Sequence, residues 1–143
     1  METIAESTRV LYTARTHTIG GREHGLSRSY DGHLNVKLST PGLDGGTGTN
    51  PEQLIAAGWS ASFEGAMDIT ARKRFMTLSE KTAVDAEVDL CFEKGEYFLQ
   101  GRLHVSLPGI DTELAHQIIN AARRICPYTK ALESTVHVEF NLV

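Results

Sequence analysis

Apolar positions recur along this chain with two periods, and the switches between them mark out its elements. Residues 9–16 (RVLYTART) are rich in β-formers and predict a strand. GGREHG at 20–25 predicts a turn or irregular loop. Asp31-Gly32 is a hairpin signal before HLNVKLS, where Leu34, Val36 and Leu38 alternate onto one face. The Gly-rich stretch TPGLDGGTGTN then leads into a long helix. Thr49 or Asn50 serves as its N-cap, Pro51 lies in its first turn, Glu52 sits at its positive dipole end, and it extends to about Phe75. Two period-two segments follow. Val84, Ala86, Val88, Leu90 and Phe92 share one face, and Asp85, Glu87, Asp89 and Cys91 share the other. After a Lys94-Gly95 turn, Tyr97, Leu99, Leu103, Val105 and Leu107 form the expected buried face of the next strand. Leu114, Ile118, Ala122 and Ile125 predict a second helix, capped by Asp111 and stopped by Pro127. Val136, Val138, Phe140 and Leu142 complete a last strand. The order ββ-α-ββ-α-β predicts an α+β fold with a long central helix on a largely antiparallel sheet.

With 143 residues the chain suits one domain, expected to span residues 1–143. No apolar run approaches the roughly 20 residues of a membrane helix, so no membrane partner is expected. The net charge is −4 with both signs mixed, which argues against nucleic acid. METIAESTRV has neither a basic start nor an apolar stretch, which makes the cytoplasm the default location. Cys91 and Cys126 form no CxxC pair, and the six histidines make no HxxxH or HExxH set, so no metal is expected. The Gly-rich loop lacks GxxxxGK[ST] and the third glycine of GxGxxG, and Glu52 would repel a phosphate. No nucleotide site is expected there.

The middle of the long helix, GWSASFEGA at 58–66, is unusual. Gly58, Ser62 and Ala66 recur at four-residue spacing, as do Ala57, Ala61 and Gly65. Glycine and serine each cost a helix up to about 1 kcal/mol relative to alanine, a cost that close packing against another backbone would offset. Four residues are candidates for chemistry. Cys91 sits on an acidic strand face that disfavours a thiolate. Cys126, at a helix C-terminus in ICPYTKA, is a poor first nucleophile. It is either a buried structural cysteine or a neutral thiol that attacks second. Arg22 lies in a glycine-flanked loop, and Glu52 is placed to hold a guanidinium through paired hydrogen bonds. A solvated surface arginine is the simpler reading of Arg22.

Leu11-Tyr12-Thr13-Ala14, Gly20-Gly21-Arg22, GTNPEQL at 48–54, Ala56-Ala57-Gly58 and Cys126-Pro127-Tyr128 occur in one order along the whole chain. In these stretches it resembles the organic hydroperoxide resistance proteins of the Ohr/OsmC family. The resemblance implies an OsmC-like fold in an interlocked homodimer and a peroxidase that reduces alkyl and fatty-acid hydroperoxides through two cysteines. It implies no metal or haem cofactor, with dihydrolipoyl groups of a lipoylated carrier protein as the reductant. Cys126 maps onto the second cysteine, Arg22 onto the loop arginine and Glu52 onto the helix-start glutamate. Trp59, Phe63 and Tyr128 would shape a pocket for an alkyl chain. Ser62 stands where the family has its peroxide-attacking cysteine, so the chain as written is expected to be inactive. An engineered Cys→Ser replacement accounts for this best, because Arg22, Glu52 and Cys126 remain. The alternative is a non-catalytic OsmC-like module that binds an apolar ligand.

Overall fold

The computed structural model describes residues 7–42 and 46–143. The first six residues, and Leu43, Asp44 and Gly45 of the Gly-rich loop, lie outside the described residues. The chain divides into two compact units, one ending at Pro51 and the other running from Glu52 to Val143.

The first unit is a small antiparallel sheet of β1 (Thr16–Ile19), β2 (Leu26–Ser29) and β3 (Asn35–Lys37), in that spatial order. A helical turn, α1 (Gly21–His24), connects β1 to β2. Gly20 and Gly21, at φ 78° and 69°, supply the left-handed backbone this connection needs. The strand expected at 9–16 does not form. Its β-forming side chains supply propensity, but β2 is four residues long and the ladder ends at Thr16↔Ser29, with one further bond from Tyr30 N to the Arg15 carbonyl at 3.0 Å, so residues 9–15 run on exposed and outside the sheet. Asp31-Gly32 does turn the chain between β2 and β3. The Asp31 carboxylate accepts from Ser29 Oγ and from the His33 amide at 3.0 Å, and these bonds, Ser29's first, hold its carboxyl below the usual range. Among the apolar residues described in this unit Leu38 alone is buried, while Leu11, Tyr12 and Ile19 are exposed.

The second unit has a core. It contains α2 (Pro51–Lys73), β4 (Ala83–Glu93), β5 (Glu96–Ser106), α3 (Thr112–Ile125), α4 (Pro127–Glu133) and β6 (Val138–Leu142). Trp59, Phe63 and Met67 of α2 meet Leu103 and Val105 of β5 and Ile118 and Ala122 of α3 in one buried cluster. Pro51 opens α2, where its missing N–H costs nothing. The helix ends at Lys73, two residues short of the expected Phe75. There Met76 N bonds Ala71 O at 2.9 Å and Phe75 N bonds Arg72 O at 3.0 Å, closing a Schellman motif with Phe75 at φ 58°. Asp111 caps α3, its Oδ1 accepting from Leu114 N at 2.9 Å.

Two expectations are corrected here. Pro127 does end α3, but it also begins α4, because a proline that cannot continue one helix suits the first position of the next. The sheet order is β4-β5-β6, and β6 pairs parallel to β5. The helices between them make a crossover, and a crossover returns the chain in the same direction. With the added strand and helices, the element order is β-α-β-β-α-β-β-α-α-β, and the class remains α+β.

The β4–β5 hairpin extends past its covering helices. Leu90, Phe92 and Tyr97, expected on the buried face, are exposed, and the Phe92 and Tyr97 rings pack as a tilted pair with centroids 4.9 Å apart. On the opposite face Arg102 binds both Asp89 oxygens at 3.0 Å and Glu87 at 3.1 Å, while His104 Nε2 meets Glu87 at 2.6 Å. The Arg102 contact, then Gln100, holds Asp89 below the usual carboxylate range, and His104, then Arg102, does the same for Glu87.

Gly101, in the central strand, faces Trp59. A Cβ there would lie 2.9 Å from the indole ring and 2.9 Å from the Glu87 carbonyl. Neither a buried indole nor a paired strand gives way easily, so Gly101→Ala should destabilise the protein by about 1–3 kcal/mol. Urea unfolding followed by circular dichroism measures this.

Candidate active site

Ser62 lies in the fourth turn of α2, beside the large side chains that hold that helix to the core. Cys126 ends α3 and precedes α4, so it sits at the corner between them. Its amide bonds the Ala122 carbonyl at 2.9 Å, and its own carbonyl accepts from Lys130 N at 3.1 Å. This corner turns Cys126 inward, where it has no exposed surface. Ser62 Oγ and Cys126 Sγ meet at 3.5 Å, and either can donate. Sixty-four residues separate the two in sequence, and both belong to the second unit.

Trp59 reaches the same corner. Its indole Nε1 donates to Thr129 Oγ1 at 3.0 Å, and both residues are fully buried. Thr129, absent from the sequence reading, carried one signal there: it lies one turn beyond a cysteine at a helix junction. Trp59 and Phe63 do not line an open pocket, contrary to expectation. Both are wholly buried against Phe140, at ring-centroid distances of 6.5 and 5.3 Å. Tyr128 is half exposed, and its ring lies over Gly58, 3.9 Å from where a Cβ would stand.

Arg22 belongs to α1 of the first unit, and Glu52 lies in the first turn of α2 at the start of the second. On one α-helix the ten residues between Glu52 and Ser62 amount to a rise of about 15 Å. Within a single α2, then, Glu52 and Ser62 are not neighbours. Cys91 is half-buried on the outer face of β4, opposite Phe98. Among the described residues, no group of three His, Cys, Asp or Glu side chains is placed to hold a metal, and no helix is long and apolar enough to cross a membrane.

Known proteins share both the sequence pattern and the fold of this chain. The family profile described as "OsmC-like protein" matches residues 42–141. The chain belongs to the OsmC-like family. Within that family it stands with the organic hydroperoxide resistance proteins. It is 37% identical to the one from Xanthomonas axonopodis pv. citri, over 97% of this chain and 99% of that one. It is 35% identical to organic hydroperoxide resistance protein OhrB of Bacillus subtilis, over 92% and 98% of the two chains. The crystal structure of that OhrB superposes with a TM-score of 0.87, covering 94% of this chain and all of the other. A putative organic hydroperoxide resistance protein from Vibrio cholerae, with captopril bound in one of its active sites, gives 0.86 at 28% identity over 96% and 95% of the chains.

The 3.5 Å approach of Ser62 to Cys126 generates a direct expectation. A thiol at position 62 needs to close by only about 1.5 Å to reach the disulfide length. Treating the Ser62→Cys variant with diamide should therefore link that position to Cys126 within one chain and leave Cys91 reduced. Peptide mass mapping would read out the linkage, and a bond through Cys91 would contradict the geometry.

Proposed function

We propose that this fold is the scaffold of a thiol-dependent peroxidase that reduces organic hydroperoxides to alcohols in oxidative-stress defence, with Ser62 in place of its first thiol. The observation that carries this reading is the side chain of residue 62 lying 3.5 Å from a buried free thiol. Full-length similarity to organic hydroperoxide resistance proteins supports it. In the thiol form, the residue-62 thiolate attacks the distal peroxide oxygen. An S–O bond forms, the O–O bond breaks, and the alkoxide takes a proton to leave as the alcohol. Cys126 then attacks the sulfenic sulfur, releasing water and leaving a disulfide. Exchange with a dithiol such as the dihydrolipoyl group of a carrier protein regenerates both thiols. No metal or haem enters any step, and a reducing cytoplasm keeps the thiols available. A serine hydroxyl ionises far above neutral pH and has no such oxidation ladder, so the chain as written binds but does not turn over. A non-catalytic module for an apolar ligand is the second reading, and Ser62 itself favours it.

Arg22, held by Glu52, stabilises the thiolate and the charge that builds on the peroxide. The rise of about 15 Å between Glu52 and Ser62 means that a Glu52 serving this site comes from a second copy. Ala57, Ala61 and Gly65 form an exposed row on α2. Two α2 helices crossing antiparallel at Ala57 bring Glu52 of the partner subunit beside Ser62, since the two positions lie five residues either side of the crossing.

Ser62→Cys should consume cumene hydroperoxide with dihydrolipoamide as reductant, whereas the chain as written should not. Adding Arg22→Ala should lower the rate at least about a hundredfold, the worth of one oriented electrostatic contact. A thiol variant that reduces nothing would leave the binding module as the better reading.

The assembly is tested separately. Sedimentation should give about twice the chain's 15.7 kDa. Because Ala61 is exposed within one chain, Ala61→Leu should leave the protomer folded and shift it to monomer. A dimer that persists unchanged would move the interface off this row.

A further inference from the structure

Cys126 is the N-cap of α4, whose first turn carries a side chain with its own partner on α2. Thr129 lies three residues after Cys126, and Trp59 lies three before Ser62. Trp59 Nε1 donates to Thr129 Oγ1 at 3.0 Å, and Ser62 Oγ stands 3.5 Å from Cys126 Sγ. Residues three apart on a helix are surface neighbours, about 5–6 Å between Cβ atoms. The two contacts are therefore adjacent rungs between α2 and α4, taken in opposite chain directions. Trp59, Thr129 and Cys126 have no exposed surface, so water cannot replace the hydrogen bond if it breaks. Arg123 of α3 donates to Glu133 at the far end of α4. That ion pair closes the α3–α4 corner but does not reach α2, and the Trp59–Thr129 bond does.

We propose that the hydrogen bond from Trp59 to Thr129 is the positioning element of the resolving step. It pins the first turn of α4 to α2 and thereby sets the distance from Cys126 Sγ to residue 62. This rests on the two-thiol reading above. Its effect falls on one step, in which the Cys126 thiol gives up its proton, the S–S bond forms, the sulfenic S–O bond breaks and water leaves. Peroxide attack takes place at residue 62 and needs no approach of Cys126, so the tie leaves that step alone. Trp59 and Thr129 are positioning residues because neither touches the reacting atoms.

The test uses the full chain in a Ser62→Cys background with Thr129→Val, which keeps the shape and removes the acceptor, and Thr129→Ser, which restores it. The first readout is equilibrium with reduced and oxidised glutathione, in which two protein thiols and one glutathione disulfide yield the protein disulfide and two glutathiones. It requires no peroxidase activity. Thr129→Val should weaken the internal disulfide at least about tenfold, a potential about 30 mV less reducing, with Thr129→Ser close to the parent. The second readout is stopped-flow reaction with cumene hydroperoxide. Formation of the sulfenic acid should change by less than about twofold, while disulfide closure slows at least about tenfold in Thr129→Val. Far-ultraviolet circular dichroism reports whether each variant is folded, Trp59 being the one tryptophan in the chain and absent from the fallback variant. Should Thr129→Val not fold, Trp59→Phe removes the donor instead and should give the same shift. An unchanged glutathione equilibrium, a Thr129→Ser variant as impaired as Thr129→Val, or equal slowing of both steps would overturn the proposal. A shifted glutathione equilibrium with no peroxide reaction in any variant would uphold the tie and overturn the peroxidase reading.

Discussion

Burial of the Trp59 indole is the constraint from which the second unit is built. The ring sits where Gly101 leaves room for it, edge-on to Phe140, and its one polar atom is satisfied by Thr129. That combination joins α2, the central strand β5, β6 and α4 through one side chain. Trp59, Phe63 and Met67 recur every four residues on one face of α2, and each such side chain contributes about 1.5–3 kcal/mol when fully buried. Together they outweigh the cost of about 1 kcal/mol that each interior glycine imposes on the helix. The small residues occupy the other rows, where the same chain asks nothing large of them.

The site lies at the boundary between those faces. A thiol is among the side chains most readily buried, because it is a small apolar group with a weak donor. Cys126 therefore fits the core corner without a strong polar partner, and the Ser62 hydroxyl supplies the one it has. The corner carries two opposed helix ends, the C-terminus of α3 and the start of α4. Dipole reasoning from α3 alone, which made Cys126 a poor first nucleophile, counted half of the local field.

Charge on the sheet surface follows a similar lesson. Asp85, Glu87, Asp89 and Cys91 read as one acidic face, yet Arg102 and His104 of the neighbouring strand lie directly across from Glu87 and Asp85. Cross-strand pairing turns a row of like charges into a network of ion pairs, and register decides it. The environment of Cys91 is accordingly less anionic than its own strand implies.

Much was legible in the chain itself, because local signals act over a few residues. The length of α2, the Asp111 cap, the Asp31-Gly32 turn and the alternation of β4 and β5 all rest on backbone preferences or on burial of one face. The ordered motifs also indicated the family and singled out Ser62 and Cys126. The failures share a cause. Residues 9–15 have strand propensity but no partner strand beyond Thr16, and Pro127 was read as a stop when it is also a start. The exposed hairpin tip and the parallel return of β6 depend on where the helices end and how the crossover closes. The meeting of residue 62 with Cys126, and of Trp59 with Thr129, spans 64 and 70 positions. Contacts at that separation are set by how helices pack on a sheet, a sum over many side chains that no local pattern in the sequence carries.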